Sequence, residues 1–542
     1  MDKKPVIKKS TRATIVDQIK GESKKPAETL TPRVEFLTTG STLLNLALSQ
    51  KGKDGGVARG RIINIVGDGS SGKCIKKGSV LTSKGLQVLD DIGTKFENGI
   101  TPWEEELSLT KEVLSKVNVF YKEQVSETIC VKTRHGYTIE GTHNHKIAVW
   151  TENCTIEMKK LKDLKVGDVA VIVRDTQRFP TEYFPIANLK SYDLSPKYTN
   201  ANYKDITLPK NVTANIGSLL GLLVGDGGFG ENGLGFSNRK PWFIEALNRS
   251  LSDFNMKSSN QSKSGVVYAC SFKMKAIIYE LFDNPEKFTA RFKYVPNCIL
   301  QSPKDVQASF IRSLFDCDSY SDGKNSIEWS SASEQVAKQI HLMLLNFGIV
   351  TTLSSKHGVF DGVNYQDHTY WGITIYGPDF IKYVQEIGSC RWDLTKTLEK
   401  KAQRKSDYDS IPFLQNYAMS DRDRIRDEVG WVKNGIMKYR SGRFPRFLFA
   451  GTENLTYQRL PVFIDTYSSF EDIWDLSLYR ELLKANYHFD PISFIENRHD
   501  LVDVCDVHVP DGHLFWCNGF INHNTLLALE ILAHAYYGMK ND

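Results

Sequence analysis

The sequence predicts a chain of several domains: an all-β unit split by a large inserted α/β module, with two separated pieces of a further α/β unit at its ends. Three observations predict this. Short strand-like runs with turns between them fill residues 74–175 and return at Val502–Asn524. Residues 210–390 alternate helical and strand-like stretches. A glycine-rich loop ending at Lys73 has its strand before it, yet the helix that should follow begins only at Thr525. The 542 residues allow three or four domains at about 150 residues each, and 41% hydrophobic content suffices for packed cores.

The end pieces come first. Ile62-Ile63-Asn64-Ile65-Val66 reads as a buried strand, and Gly67-Asp68-Gly69-Ser70-Ser71-Gly72-Lys73 follows it. A phosphate-binding P-loop reads G-x-x-x-x-G-K-[ST], and its last residue places a hydroxyl on Mg²⁺. Cys74 stands in that place here. Residues 525–537 form an amphipathic helix that begins with threonine, so removing residues 74–524 restores strand, motif and helix in register. Gly67, Gly72, Lys73 and Thr525 are then the nucleotide-binding residues, because glycines let backbone N–H groups approach an anion at a helix N-terminus. The order of a Thr39-Gly40-Ser41 helix start, an apolar helix, a Gly55-Gly56 turn and this loop resembles the RecA-like recombinase family over residues 34–73 and 525–540. The resemblance implies ATP with Mg²⁺, and DNA, as ligands of the rejoined unit only. The rejoined flanks are too short to hold a Walker B strand or a catalytic glutamate. ATP hydrolysis is therefore not assigned to this chain. Residues 1–33 read as a polar arm with a short helix near residues 14–19.

The all-β unit shows strand-like runs at Ser79–Thr82, Gln87–Asp90, Val117–Tyr121, Thr128–Thr133, Tyr137–Glu140, Lys146–Trp150 and Val169–Val173. Its two ends carry distinctive chemistry. A thiol at Cys74 can attack the preceding carbonyl and turn the Lys73–Cys74 amide into a thioester. The Thr525 hydroxyl can take the acyl group, and the Asn524 side-chain amide can attack its own carbonyl and cut the Asn524–Thr525 bond. Each step is a nucleophilic attack with acid–base help, so a nearby histidine is expected. Cys74, the run Gly141-Thr142-His143-Asn144-His145, the segment Leu161–Asp168, Val504–Val509 and His513–Asn524 together resemble an intein, a self-splicing insert. The resemblance implies a horseshoe-shaped β (Hint) fold that brings both ends together, with no cofactor needed for splicing. It implies that Thr142 and His145 contact the first scissile amide, and that Asp506, His513 and His523 tune the later steps. His143 and His508 are expected to be solvent-facing or packing residues. Thr525, a hindered secondary alcohol, is expected to slow the branch step.

Within the α/β module, the apolar run Leu219–Gly227 ends in Asp226, and Ile311–Ser319 ends in Asp318, 92 residues on. Both resemble the LAGLIDADG motif of homing endonucleases. Small Gly221 and Ser313 let the two helices pack closely, so the acids meet at adjacent helix C-termini. Two carboxylates there repel each other, next to negative dipole ends, unless cations lie between them. Asp226 and Asp318 are the expected ligands of Mg²⁺, an oxygen-seeking ion, for phosphodiester cleavage. Asp316 is the alternative, two places off that face. Lys293 is a candidate charge-stabilising lysine, as is Lys356. Ser319 replaces the closing glycine of the second motif.

Residues 391–446 hold 14 Lys+Arg against 8 Asp+Glu, interleaved with Trp392, Tyr408, Tyr417, Trp431 and Tyr439. They suit either DNA backbone contact or a solvated surface. The resulting division is 1–73 N-terminal flank, 74–180 first half of the splicing domain, 181–390 endonuclease, 391–490 basic extension, 491–524 second half of the splicing domain, and 525–542 C-terminal flank. The expected partner is double-stranded DNA bearing the uninterrupted host site, bound by a monomeric precursor. The competing reading is a RecA-like P-loop ATPase with an inert inserted domain. Nine cysteines form no C-x-x-C pair, so neither a zinc finger nor a redox dithiol is indicated. An odd cysteine count and a polar N-terminus fit the cytoplasm. No apolar run approaches the roughly 18 residues of a membrane span, and a net charge of +5 is too mild to name a partner.

Overall fold

The computed structural model describes residues 36–37, 55, 57–58, 74–193, 206–260, 266–322, 325–360, 363–394, 409–429, 455–468, 471, 474–510 and 512–524. The chain forms two compact units, residues 66–533 and residues 1–65 with 534–542. In the second of these, Phe36–Leu37 pairs antiparallel with Val57–Ala58. The expected P-loop residues Gly67, Gly72 and Lys73, together with Thr525 and the helix expected after it, lie outside the described residues.

The larger unit holds a 14-stranded antiparallel sheet. Its strands are β1 (Ile75–Lys76), β2 (Ser79–Thr82), β3 (Gly85–Val88), β4 (Gly99–Ser108), β5 (Leu114–Val125), β6 (Thr128–Thr133), β7 (Thr138–Gly141), β8 (Lys146–Trp150), β9 (Ile156–Lys160) and β10 (Val169–Ile172) from the first half. The second half adds β11 (His488–Arg498), β12 (Val502–His508), β13 (Leu514–Cys517) and β14 (Phe520–His523). The order across the sheet is β9-β8-β14-β10-β11-β6-β7-β1-β12-β5-β4-β2-β3, with β13 on β14. The two halves therefore interleave, and neither could complete the sheet alone. Strands β4 and β9 escape the sequence reading because charge masks their pattern: β4 carries Glu104-Glu105-Glu106, and Glu105 pairs with Lys84 at 3.2 Å. Strand β11 joins the halves, pairing with β10 (Ile172↔His488) and then, past a bulge, with β6 (Arg498↔Thr128).

The inserted module is built twice on one plan. Helix α1 (Ala214–Asp226) and helix α2 (Lys304–Asp318) each run directly into a four-stranded antiparallel sheet. The first sheet is ordered 227–229, 233–236, 267–270, 259–260, and the second 319–321, 326–331, 363–376, 352–360, so the chain takes the same path in both. Thr213 caps α1, its hydroxyl accepting from Ile216 N at 3.2 Å. Interior glycines each weaken a helix by about 1 kcal/mol, yet α1 has them at 217, 221 and 225. The reason is contact: an added Cβ would meet Val306 O at 2.7 Å, Phe310 O at 2.3 Å and Cys317 Cβ at 2.6 Å. Ser218 and Ser313 hydroxyls hydrogen-bond across the pair at 2.7 Å. Both helices end in extended backbone, at Gly227 (φ −110°) and Ser319 (φ −93°). Serine is therefore as acceptable as glycine at the second end.

Described parts of residues 409–487 form three helices around Leu414, Phe463, Trp474 and Tyr479, all buried. They dock on the sheet through Trp150 Nε1, which donates to Pro412 O at 2.8 Å, and through the buried Arg174–Asp409 ion pair at 2.6 Å. Of the aromatic residues expected on a basic surface, Tyr417 is half-buried near Tyr479, while Tyr408, Trp431 and Tyr439 lie outside the described residues. Among the described residues, no helix is long and apolar enough to cross a membrane.

Gly221→Ala should destabilise the inserted module by about 1–3 kcal/mol, because Phe310 backbone must yield. Denaturant unfolding measures it, and an unchanged midpoint would contradict the close packing.

Candidate functional site

Both ends of the split sheet meet at the turn joining β7 to β8. Thr142 binds Cys74 twice: Cys74 N–H donates to Thr142 Oγ1 at 3.1 Å, and Thr142 N–H donates to Cys74 O at 3.0 Å. This is possible because β1 lies between β7 and β12, with Ile75 opposite both Gly141 and Cys505. Three residues along the turn, His145 Nε2 lies 2.9 Å from Asn522 Oδ1. The Asn522 amide nitrogen donates to Cys517 O and Phe520 O. Its oxygen is therefore the acceptor, and His145 carries its proton on Nε2, which leaves Nδ1 as the basic nitrogen. The next residue, Lys146, pairs with His523 in the sheet.

At the far end, Asn524 is fully buried. Its N–H donates to His513 O at 3.0 Å. Its side-chain oxygen accepts from Val509 N–H at 2.7 Å, and its amide nitrogen donates to His513 O at 3.2 Å. His523 Nδ1 donates to the carbonyl oxygen of Asn524 at 2.7 Å, which polarises that carbonyl. His513 sits in left-handed backbone (φ +57°), with Nδ1 donating to Val509 O at 3.0 Å. Its ring centroid lies 5.9 Å from that of His523.

Cys74 itself is fully buried. Burial first, then the charges of Asp506 and Glu123, push its thiol well above the ordinary range. Asp506 is buried on β12, and its Oδ1 accepts from Val507 N at 2.8 Å. Cys74 Sγ donates to Glu123 Oε1 at 3.4 Å, and Tyr121 OH holds Glu123 Oε2 at 3.0 Å. His508 is buried against Asn118 at 2.6 Å, a packing place, and His143 is half-buried.

A second cluster lies at the C-terminal ends of α1 and α2. Asp226 accepts from Asn238 Nδ2 at 2.7 Å and lines an open cleft of about 490 Å³ with Ser237, Arg239, Lys240 and Cys317. Burial, then the Asp226 charge, raise Asp318 to about 6, against the pull of Lys293 and Arg391. Lys293 Nζ donates to the carbonyls of Leu223, Val224, Gly225 and Gly227 at 2.8–3.2 Å. It neutralises the negative end of α1, and burial lowers its pKa. Arg391 does the same for α2, its Nη1 reaching Asp316 O at 3.1 Å and Ser319 O at 3.0 Å. Asp316 is buried and takes hydrogen bonds from Ser389 and Cys390 N, away from the acid pair. Lys356 is exposed on the 352–360 strand.

The family model for the intein splicing domain matches residues 79–524. This chain belongs to the intein family. It is similar to an A-type ATP synthase polypeptide of Pyrococcus abyssi, 27% identical over 84% of this chain and 44% of that protein, so the intein spans less than half of that relative. It is also similar to the crystal structure of the PabCDC21-1 intein (22% identity, 18% of this chain and 72% of that one, TM-score 0.17). Another similar structure is that of I-DmoI in complex with DNA and Mn (17% identity, 33% and 98%, TM-score 0.24).

Four residues of this intein's two sites escape the sequence reading: Glu123, Tyr121, Asn522 and Arg391. Glu123 and Tyr121 share one face of β5 by alternation, but only the pairing of Tyr121 with Asp506 shows that this face looks at Cys74. Because the Cys74 thiol is raised, iodoacetamide at pH 7 should modify exposed Cys270 and Cys390 at least about tenfold faster than Cys74, and denaturation should remove the difference. Below its pKa the Cys74 rate should climb as pH rises. Equal rates on the folded chain would contradict its burial.

Proposed function

We propose that this intein excises residues 74–524 and joins Lys73 to Thr525, and that its inserted module cleaves double-stranded DNA. The observation that carries the first part is the Thr142–Lys146 turn, which holds Cys74 at one end and strand β14, leading to Asn524, at the other. Cys74 is held as a thiol, so its attack needs a base at the sulfur. Glu123 takes the thiol proton, and the sulfur attacks the Lys73 carbonyl carbon. The bond from that carbon to Cys74 N breaks as His145, once it has taken a proton on Nδ1, passes that proton to the nitrogen, and a thioester remains. Thr525 Oγ then attacks the thioester, its proton passes to His145 Nδ1, and the departing Cys74 sulfur takes its proton back from Glu123. Asn524 Nδ2 attacks its own carbonyl carbon, with His523 on the oxygen. The amide nitrogen loses a proton, Thr525 N gains one, and the bond between the Asn524 carbonyl carbon and Thr525 N breaks. An O→N shift restores a peptide between Lys73 and Thr525. Asp506 holds the thiol back by charge, and His513 positions Asn524.

The interrupted P-loop supports reading Gly67–Lys73 and Thr525 as an insertion address in a RecA-like host. ATP and Mg²⁺ would belong to the rejoined host alone. In the module, Asp226 and Asp318 offer oxygen donors only, and Cys317 beside them keeps its proton because burial and both carboxylates push it up. That donor set fits Mg²⁺. When bound, the ion would stabilise charge on the attacking and leaving oxygens of a phosphodiester. Lys293 and Arg391 hold the two helix ends that aim the acids, and Lys293 also offsets their charge.

Intact-mass analysis of the expressed chain should give a free 451-residue fragment and joined flanks, whereas Cys74→Ala with Asn524→Ala should stay whole. A persistent intact parent would overturn the splicing assignment. Glu123→Gln should slow thiol-induced cleavage at Cys74 by about 10²–10⁴-fold and leave cleavage at Asn524 in place. Equal loss of both would make Glu123 structural. With Mg²⁺ and a plasmid carrying the uninterrupted site, Asp226→Asn and Asp318→Asn should each abolish cutting. Cutting that survives either change would move the site elsewhere.

A further inference from the structure

Away from both sites, the tip of the β6–β7 hairpin meets the start of β11. His135 Nδ1 lies there 2.9 Å from Asp490 Oδ1 and 3.3 Å from His488 Nε2. One ligand atom from each of the three residues falls within 4.8 Å of the others. We propose that His135, His488 and Asp490 bind a divalent cation of the zinc type, with water in the fourth position.

Zinc takes imidazole nitrogen and carboxylate oxygen at about 2.0–2.2 Å in a tetrahedron, which sets donor atoms about 3.3 Å apart. The two separations from His135 Nδ1, 2.9 and 3.3 Å, are close to that, and the third pair lies within 4.8 Å. The surroundings hold each donor in place. His135 N–H donates to Asp490 Oδ2 at 3.0 Å, which fixes the carboxylate with Oδ1 toward the histidines. His135 O accepts from Leu353 N at 2.8 Å. Gly136 adopts φ +97°, and a Cβ there would meet Leu353 O at 2.6 Å, so only glycine lets the tip come this close. His488 is fixed by its sheet partner Ile172. Its other ring nitrogen faces Asp409 Oδ1 at 3.8 Å, and Asp409 is anchored by Arg174 at 2.6 Å. A carboxylate behind a histidine is the outer partner that turns the opposite nitrogen into a metal ligand. Asp490 and His488 are buried, while the His135 side chain is 15% exposed and gives the ion a way in. A bound cation would fasten the hairpin whose β7 leads to Thr142 onto the strand where the chain returns from the insert. The site is independent of the splicing chemistry and of the Asp226–Asp318 pair.

The test is a Co²⁺ titration of the full chain carrying Cys74→Ala and Asn524→Ala, which keeps it whole and removes the reactive thiol. One equivalent should give the strong visible absorption of a four-coordinate site, displaced by Zn²⁺, and Zn²⁺ should raise the melting temperature. An oxygen site at Asp226 and Asp318 would be six-coordinate and nearly colourless, so the two are distinguishable. His135→Gln, at the partly exposed position, and His488→Gln should both lose the absorption and the melting shift. Should a variant fail to fold, X-ray absorption on the zinc-loaded parent decides, and it should show a nitrogen and oxygen shell with two imidazoles. A sulfur shell, no one-to-one absorption, or unchanged absorption in folded His135→Gln would overturn the assignment.

Discussion

Thr142 grips Cys74 from both sides, taking its N–H on a hydroxyl and giving a backbone N–H to its carbonyl. A single hydrogen bond would let the backbone at Cys74 turn, whereas these two, one on the peptide before Cys74 and one on the peptide after it, hold the residue from both sides. That grip depends on register. Side chains alternate in a strand, so a slip of one residue in β7 or β1 would turn Thr142 away. The backbone approach is close enough that a Cβ on Gly141 would lie 2.6 Å from Cys74 O. Everything else in the splicing domain serves to keep this register while the other junction is carried by β14, beside β8.

The same sheet explains how a large module can sit inside without disturbing the site. The chain leaves at β10 and returns at β11, and Ile172 pairs with His488. Facing residues of antiparallel strands lie only about 5 Å apart, so the chain's exit and re-entry are adjacent, and Leu353 and His341 of the module also bear on the β6–β7 hairpin. Its own fold needs nothing from the splicing chemistry, since two helices pressed together through Gly217, Gly221 and Gly225 organise it. Arg174 and Asp409 close the doorway with a buried ion pair, and removing one partner of such a pair costs about 3–5 kcal/mol.

Much of this was legible in the sequence for physical reasons. Strands such as Thr128–Thr133 and Lys146–Trp150 are short apolar runs between turns, and the structure keeps those bounds. One apolar helix ending in an acid reads as an ordinary core helix; the α1 and α2 runs stand out because there are two of them, with the acids 92 residues apart. What stayed hidden depends on long-range pairing. Glu123 looks like one more surface acid until β12 places Asp506 and Cys74 beside it. Arg391 lies 73 residues beyond Asp318 and reaches the end of α2 only in three dimensions. The interleaving of the halves, with β11 spanning both, has no local signature at all.

The account rests on both junctions reacting at one centre, and the branched ester is the species that only such a centre can make. Intact-mass and N-terminal analysis of the full chain with Asn524→Ala tests this directly. The account predicts a branched product of precursor mass with two N-termini, one at Met1 and one at Cys74, which hydroxylamine splits at the ester. A linear chain with Met1 as its sole N-terminus, under conditions where the parent chain splices, would contradict it.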